Sequence, residues 1–383
     1  MSVWYEIKFL ESATNTRQLL GRNTGRLLSM STAREISVCL QQGRLYFEAA
    51  EAAPIQIKPL QIYYGVVAFA QAVIVATRGS SLSTLARSHG LSDVTSAGAG
   101  IESLALRFEN AGTFQEFSDA IAPLGGIHYF DKSMPRLIAK AFDGSRSLRG
   151  QQVTIREILS RVPGLSGLYQ QTFTEAANNV PIMLRFEEPP GGQCTLRIDD
   201  PDLYSTREEL VATILRWRAA YPFLTRWRFL EATHAWGNAI LVFDNEEGAP
   251  GDDLSADYIV HNGTNEYSRR VERGGTSHYI RVEDILPPLS GGIVDAPQYA
   301  MRPLAGVLLP EYSLQVLGCF LLSSLVRYRP QVWQNTISRS VTAQTPADDR
   351  SLSLIEKFLD DVLVDFPKMV VRIMHDRRFL DAR

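Results

Sequence analysis

Three short runs hold the side chains best suited to chemistry: Tyr63-Tyr64, Arg87-Ser88-His89-Gly90 and Arg327-Tyr328. Guanidinium groups match the forked geometry of phosphate and carboxylate, phenols donate hydrogen bonds, and histidine changes charge near neutral pH. If the elements carrying these runs pack together, Tyr63, Tyr64, Arg87, His89, Arg327 and Tyr328 line one pocket for an anionic ligand such as a nucleotide. The plainer role for the same groups is local. The tyrosines and His89 would then satisfy nearby backbone groups, and Arg327 would cap a carbonyl or pair with a carboxylate.

Other chemistries find less in the chain. No Gly-Lys pair offers a phosphate loop, and Gly98-Ala-Gly100 lacks the third glycine of a dinucleotide fingerprint. The six histidines (89, 128, 234, 261, 278 and 375) include no pair at helical i, i+4 spacing, so no metal or other cofactor is expected. Asp199-Asp200-Pro-Asp202 could gather carboxylates on a hard cation, but its place between a strand and a helix suits a turn that complements the helix dipole. Arg228 with His234, and Arg273 with His278, have the arginine–histidine spacing of a metal-independent ribonuclease, without the helical context.

Composition narrows the classes further. The net charge of 39 − 42 = −3 gives no global attraction to nucleic acid or to an anionic membrane. Cys39, Cys194 and Cys319 lie far apart in apolar or strand-like surroundings, which argues against a disulfide framework and for a reducing cytoplasm. The runs 60–77 and 313–326 approach membrane-span hydropathy. The first contains Gln61 and Gln71 and the second has only 14 residues, so both read as buried core helices.

These two apolar helices must position the chemistry. The spacing predicts a helix from Thr32, in a Thr32/Glu35 capping box, to about Ala52, and a second from Leu60 to Thr77 that ends at Gly79. Alternation from Ser103 to Phe108 and from Thr113 to Phe117 predicts strands. A helix is expected from Thr154 to Arg161. A hairpin of 181–186 and 193–198 is expected next, then a helix at 206–220 and strands at 226–231 and 238–243. Residues 244–257 read as an acidic, solvated loop, and 279–282 as a last strand. The chain then returns to helix from Tyr312, broken at Pro330, with a polar linker at 343–349 and a final helix from Ser351 to about Asp376.

A helix apolar on all sides needs partners on most of them. The expected fold class is therefore α+β: residues 1–100 and 300–383 form one helical domain from both chain ends, and 101–299 form an inserted, largely antiparallel α+β region.

The chain resembles the YaaC-like family of bacterial proteins. The resemblance is carried by Ala53-Pro-Ile-Gln-Ile-Lys-Pro-Leu-Gln-Ile-Tyr-Tyr-Gly65, the small-residue helix through Ala72, and His89-Gly90. It continues in Ile158-Leu-Ser-Arg-Val-Pro163 and in Leu321-Leu-Ser-Ser-Leu-Val-Arg-Tyr-Arg-Pro330 with Trp333. It implies a soluble bacterial protein and supports pairing of the two chain ends, but assigns no catalytic role to any position. Arg87 departs from the short polar run that the family keeps before its His-Gly.

The functional expectation is a cytoplasmic regulatory or binding protein. Its helical domain would take a nucleotide or other anion, and its inserted part would contact a protein partner or a second copy. The alternative is a HEPN-like metal-independent ribonuclease serving in stress or phage defence.

Overall fold

The computed structural model describes residues 3–25, 27–96, 100–122, 127–131, 134–140, 148–186, 194–247, 254–270, 281–285, 289–290, 298–338 and 350–375. Its helices are α1 (Val3–Leu10), α2 (Ala13–Thr24), α3 (Met30–Glu51), α4 (Lys58–Arg78), α5 (Thr113–Ala120) and α6 (Ile155–Leu159). They continue with α7 (Ser166–Phe173), α8 (Arg207–Ala220), α9 (Glu311–Tyr328), α10 (Pro330–Ile337) and α11 (Leu352–His375). The first strands are β1 (Leu91–Asp93), β2 (Ala105–Phe108), β3 (Ile127–Asp131), β4 (Met134–Lys140) and β5 (Gln152–Thr154). Then come β6 (Asn179–Phe186), β7 (Cys194–Asp200), β8 (Trp227–Ala235), β9 (Asn238–Glu247) and β10 (Ile259–Gly263). The last are β11 (Glu266–Arg269), β12 (Arg281–Ile285), β13 (Leu289–Ser290) and β14 (Gln298–Met301). Helices at both ends and a mixed middle make the chain α+β.

Two compact units divide it: Met1–Pro123 with Asp143–Ala177 and Leu304–Arg383, and Leu124–Phe142 with Asn178–Pro303. The unit holding both chain ends thus takes in residues 101–123 and 143–177, which the change of period at residue 100 had placed in the insertion. Burial explains the difference. α5 lays Phe114 and Phe117 inward, and Ser118 Oγ meets Ser313 Oγ of α9 at 3.0 Å in the core.

In that first unit, α3 and α4 pack at glycines. A Cβ on Gly43 would overlap the ring of Phe69, and one on Gly65 would overlap Phe47, so each helix drops an aromatic ring onto the other's bare backbone. The two rings meet edge-on, centroids 5.2 Å apart. α4 also packs against α9 and α11, and Gly318 of α9 leaves room for Phe358 of α11. α4 is long and apolar enough to cross a membrane by length and composition. Here Ile62, Val66, Phe69, Val73 and most of its remaining side chains are buried among these neighbours. Strands β1, β2 and β5 form a small antiparallel sheet.

Several local expectations need correction. Ser29 caps α3 by accepting from Thr32 N at 3.0 Å, so the helix starts two residues before Thr32. Residues 113–117 are helix rather than strand. Phe114 and Phe117, three apart, share a buried face, and a five-residue apolar alternation does not separate the two periods. The helix expected from Thr154 to Arg161 is α6, and a capping box of Thr154 and Glu157 opens it. Pro330 splits the late helix into α9 and α10.

The second unit contains an eight-stranded antiparallel sheet in the order β10-β11-β8-β9-β7-β6-β14-β13 and a three-stranded sheet β12-β3-β4. A capping box at Thr206/Glu209 starts α8. Trp217 Nε1 of α8 donates to Asp200 Oδ2 of β7 at 2.6 Å. β8 and β9 turn through Trp236 and Gly237, both at positive φ, in a two-residue hairpin that leaves Trp236 85% exposed. The acidic run after Asp244 begins inside strand β9 rather than in a loop. Asp244 is buried against Arg228, and buried Asn245 accepts from Cys194 N at 2.7 Å. The connection at 187–192, the linker at 343–349, and Arg273 and His278 lie outside the described residues.

Candidate functional site

Tyr63, one turn into α4, points into the core with only 2% of its surface exposed. Its hydroxyl lies 2.9 Å from Nδ1 of His89. Phe320 of α9 completes the cluster, its ring centroid 5.9 Å from Tyr63 and 6.1 Å from His89. Under the pair is a void of about 10 Å³, lined by Tyr63, His89, Leu91, Phe114 and Val316 among others. That volume holds one water at most, so any larger ligand must sit at the mouth rather than inside.

The His89-Gly90 step is clamped by backbone. Thr113 N donates to Ser88 O at 2.9 Å, Phe114 N to His89 O at 3.0 Å and Glu109 N to Gly90 O at 2.9 Å. Gln115 Nε2 adds a bond to Gly90 O at 2.9 Å. Gly90 has φ +77, and a Cβ there would overlap Gln115 Oε1; one on Gly112 would overlap the backbone of Gly90. Glycine at both positions lets two backbones touch, and this contact orients the imidazole.

Arg327, near the end of α9, is half-buried. Its Nε donates to Ser323 O at 3.3 Å, and its guanidinium lies over the Tyr328 ring, 4.9 Å from the centroid. It has no carboxylate partner among the described residues. Its charge reaches the pair in α4 and the following loop. Burial first, then Arg327, pushes the His89 pKa below the ordinary histidine value, which keeps the ring neutral at pH 7. Burial also raises the Tyr63 pKa, against the opposing pull of Arg327, so the phenol stays protonated.

The neighbouring polar groups are consumed by structure. Arg329 donates to Thr95 O at 2.7 Å and lies 3.7 Å from Asp93, whose other oxygen accepts from Ser324 Oγ at 2.6 Å. Trp333 Nε1 donates to Gln56 O at 3.0 Å. The segments 53–65, 89–90 and 321–333 therefore meet in one place, held by side chains from each.

A model of the YaaC-like protein family matches residues 6–374. The chain belongs to the YaaC-like family. No curated protein and no solved structure matches it. The match to the YaaC-like model spans nearly the whole chain, including the central residues 190–300 that carried no recognisable motif.

Of the six residues singled out for this member of the YaaC-like family, the structure brings Tyr63 and His89 into contact and sets Arg327 near enough for its charge to act on both. Tyr64 turns outward, 38% exposed, and pairs with Tyr46 at 5.6 Å between centroids. Tyr328 is 70% exposed, its ring lying under the Arg327 guanidinium. Arg87 is exposed and makes no hydrogen bond, ion pair or ring contact with the other five. Phe320, Gly112 and Gln115 were missed. Phe320 is one apolar residue in an apolar run, and nothing in the spacing of Gly112 and Gln115 tells of Gly90.

Elsewhere, Asp200 is buried under donors from Trp217, Arg216 at 2.9 Å and Arg302 at 3.1 Å, which is a structural network. Among the described residues no cluster could hold a metal ion. Arg228 pairs with Asp244 and Glu246 and shares strand β8 with His234, so neither lies on a helix.

Proposed function

We propose that this protein binds a ligand bearing an oxyanion, such as a nucleotide phosphate, at the mouth of the Tyr63–His89 pair, and acts as a binding or regulatory protein. One observation carries the reading: the half-buried Arg327 guanidinium, with no carboxylate partner among the described residues, acts on a neutral, half-buried histidine whose Nδ1 is engaged by Tyr63. A desolvated guanidinium without an anion is costly, and a bound oxyanion relieves that cost. Three buried free thiols accord with a reducing, cytoplasmic setting. A protein partner or second copy remains part of the proposal through the inserted unit.

The test is a thermal-shift titration with sulfate, phosphate and a nucleotide panel on the wild type and Arg327→Gln. At 100 times Kd, a ligand stabilises by about 2.7 kcal/mol. Stabilisation in the wild type and its loss in Arg327→Gln support the reading; a melting point unmoved by every anion overturns it.

A ribonuclease reading draws on the same histidine and arginine. Cleavage of labelled RNA that survives EDTA and disappears in His89→Ala would place it first. The low pKa of His89 favours binding over proton donation, because a neutral imidazole is a weak acid.

A further inference from the structure

The Tyr63–His89 hydrogen bond has two possible directions, and they leave different groups unsatisfied. A phenol has one proton to give, and Tyr63 is buried among Phe320, Val66 and Val316, with His89 Nδ1 as its hydrogen-bond partner. If Nδ1–H donated to the phenol oxygen, the phenol proton would be left in an apolar site without an acceptor, the arrangement buried polar groups avoid. If the phenol donates, its proton is satisfied and the proton of the half-buried histidine moves to Nε2, the ring nitrogen that Tyr63 does not engage.

The charged surroundings agree. Arg327 is the charged group acting on His89, and no carboxylate acts on His89 or Tyr63. The nearby acids are engaged elsewhere: Asp93 with Ser324 and Arg329, and Glu116 with Arg78 at 3.0 Å. Beside the pair, Arg327 lies close enough for its charge to act on both rings, and among the described residues no carboxylate acts on either one to receive a proton from a ligand.

We propose that Tyr63 fixes His89 as the tautomer protonated on Nε2, so that with Arg327 the site offers hydrogen-bond donors alone and takes a fully ionised oxyanion, such as sulfate or the phosphoryl group of a phosphate ester. This rests on the oxyanion-binding reading above and adds to it the ligand's protonation state and a positioning role for Tyr63. A ligand that must itself donate a hydrogen bond finds no acceptor there.

The experiment is nitrogen-15 NMR of histidine-labelled full-length protein at pH 7.5, with His89 assigned by His89→Gln, titrated with sulfate and then methyl phosphate. The expected result is a single Nε2–H tautomer whose resonances move with both anions. Tyr63→Phe, which keeps the ring, should populate the second tautomer and weaken sulfate binding about three- to tenfold, the loss of one neutral hydrogen bond's ordering. A wild-type His89 protonated on Nδ1, or an even mixture, overturns the tautomer assignment whatever sulfate does, and needs no variant to fold. An Nε2–H tautomer whose resonances ignore saturating sulfate and methyl phosphate overturns the oxyanion reading instead.

Discussion

Ser324 Oγ lies 2.6 Å from a carboxylate oxygen of Asp93, a bond that joins residues 231 positions apart and ties the first strand to the middle of α9. Burial raises the Asp93 pKa, but hydrogen bonds from Ser324 and Thr95 and the nearby Arg329 together outweigh it, so the group lies below the ordinary carboxylate value. Asp93→Asn should cost about 1–3 kcal/mol at neutral pH. A carboxyl with a depressed pKa stabilises the fold above its unfolded value, and that contribution is lost as pH falls through the folded one. The deficit of the variant, measured by denaturant unfolding, should therefore shrink towards acid pH. An equal deficit at every pH would count against the assignment.

His89 should titrate below the ordinary histidine value, and Arg327→Gln should move its midpoint upward by removing a like charge. Proton NMR of the imidazole checks both directions. Because the folded pKa is lowered, the unfolded chain takes up the proton first. His89 thus withdraws stability as pH falls from about 6.5.

Glu311, at the start of α9, has its pKa raised to about 8, by burial first and then by Asp365 and Asp361 of α11. Here the folded value lies above the unfolded one, about 4.3. The stabilisation is complete below the unfolded value and is lost as pH rises towards 8. Glu311→Gln removes this dependence and should raise the Tm at pH 8 by about 2–4 °C, the shift for roughly 1 kcal/mol in a unit of this size. Calorimetry across pH 4–9 would show the variant's flatter profile.

Gly90→Ala and Gly150→Ala separate backbone strain from collision. Both glycines have positive φ, but nothing lies within 4 Å of a Cβ on Gly150, whereas one on Gly90 overlaps Gln115. Gly150→Ala should cost about 1–2 kcal/mol. Gly90→Ala should exceed it by about 2 kcal/mol or more, and should broaden the His89 resonance if the glycine contact orients the ring. Equal costs from chemical denaturation would show that Gln115 moves aside freely.

Much of the chain's local structure was legible in residue order. Gly79 closing α4 and Pro330 dividing α9 from α10 act within a few residues of themselves, so spacing alone reveals them, whereas the cap of α3 fell at Ser29 rather than at the expected Thr32. The all-round apolar character of 60–77 and 313–326 likewise required that both be enclosed. Short segments were harder. The run Thr113–Phe117 has too few residues to distinguish periods of 2 and 3.6, and burial on α9 decided for helix. Asp244 was read as solvated because acids usually are; a cross-strand partner, Arg228, allowed its burial.

The candidate site divides the same way. Residue type named Tyr63, His89 and Arg327 as groups able to meet an anion, since donors and charge belong to the side chain wherever it stands. Which tyrosine of the adjacent pair faces inward, that Arg87 stays apart, and that Phe320 packs its ring against both Tyr63 and His89 were decided by the packing of α4 on α9 and the Gly90–Gly112 contact. Those are distances between elements far apart in sequence, and a helix face is chosen by what packs against it.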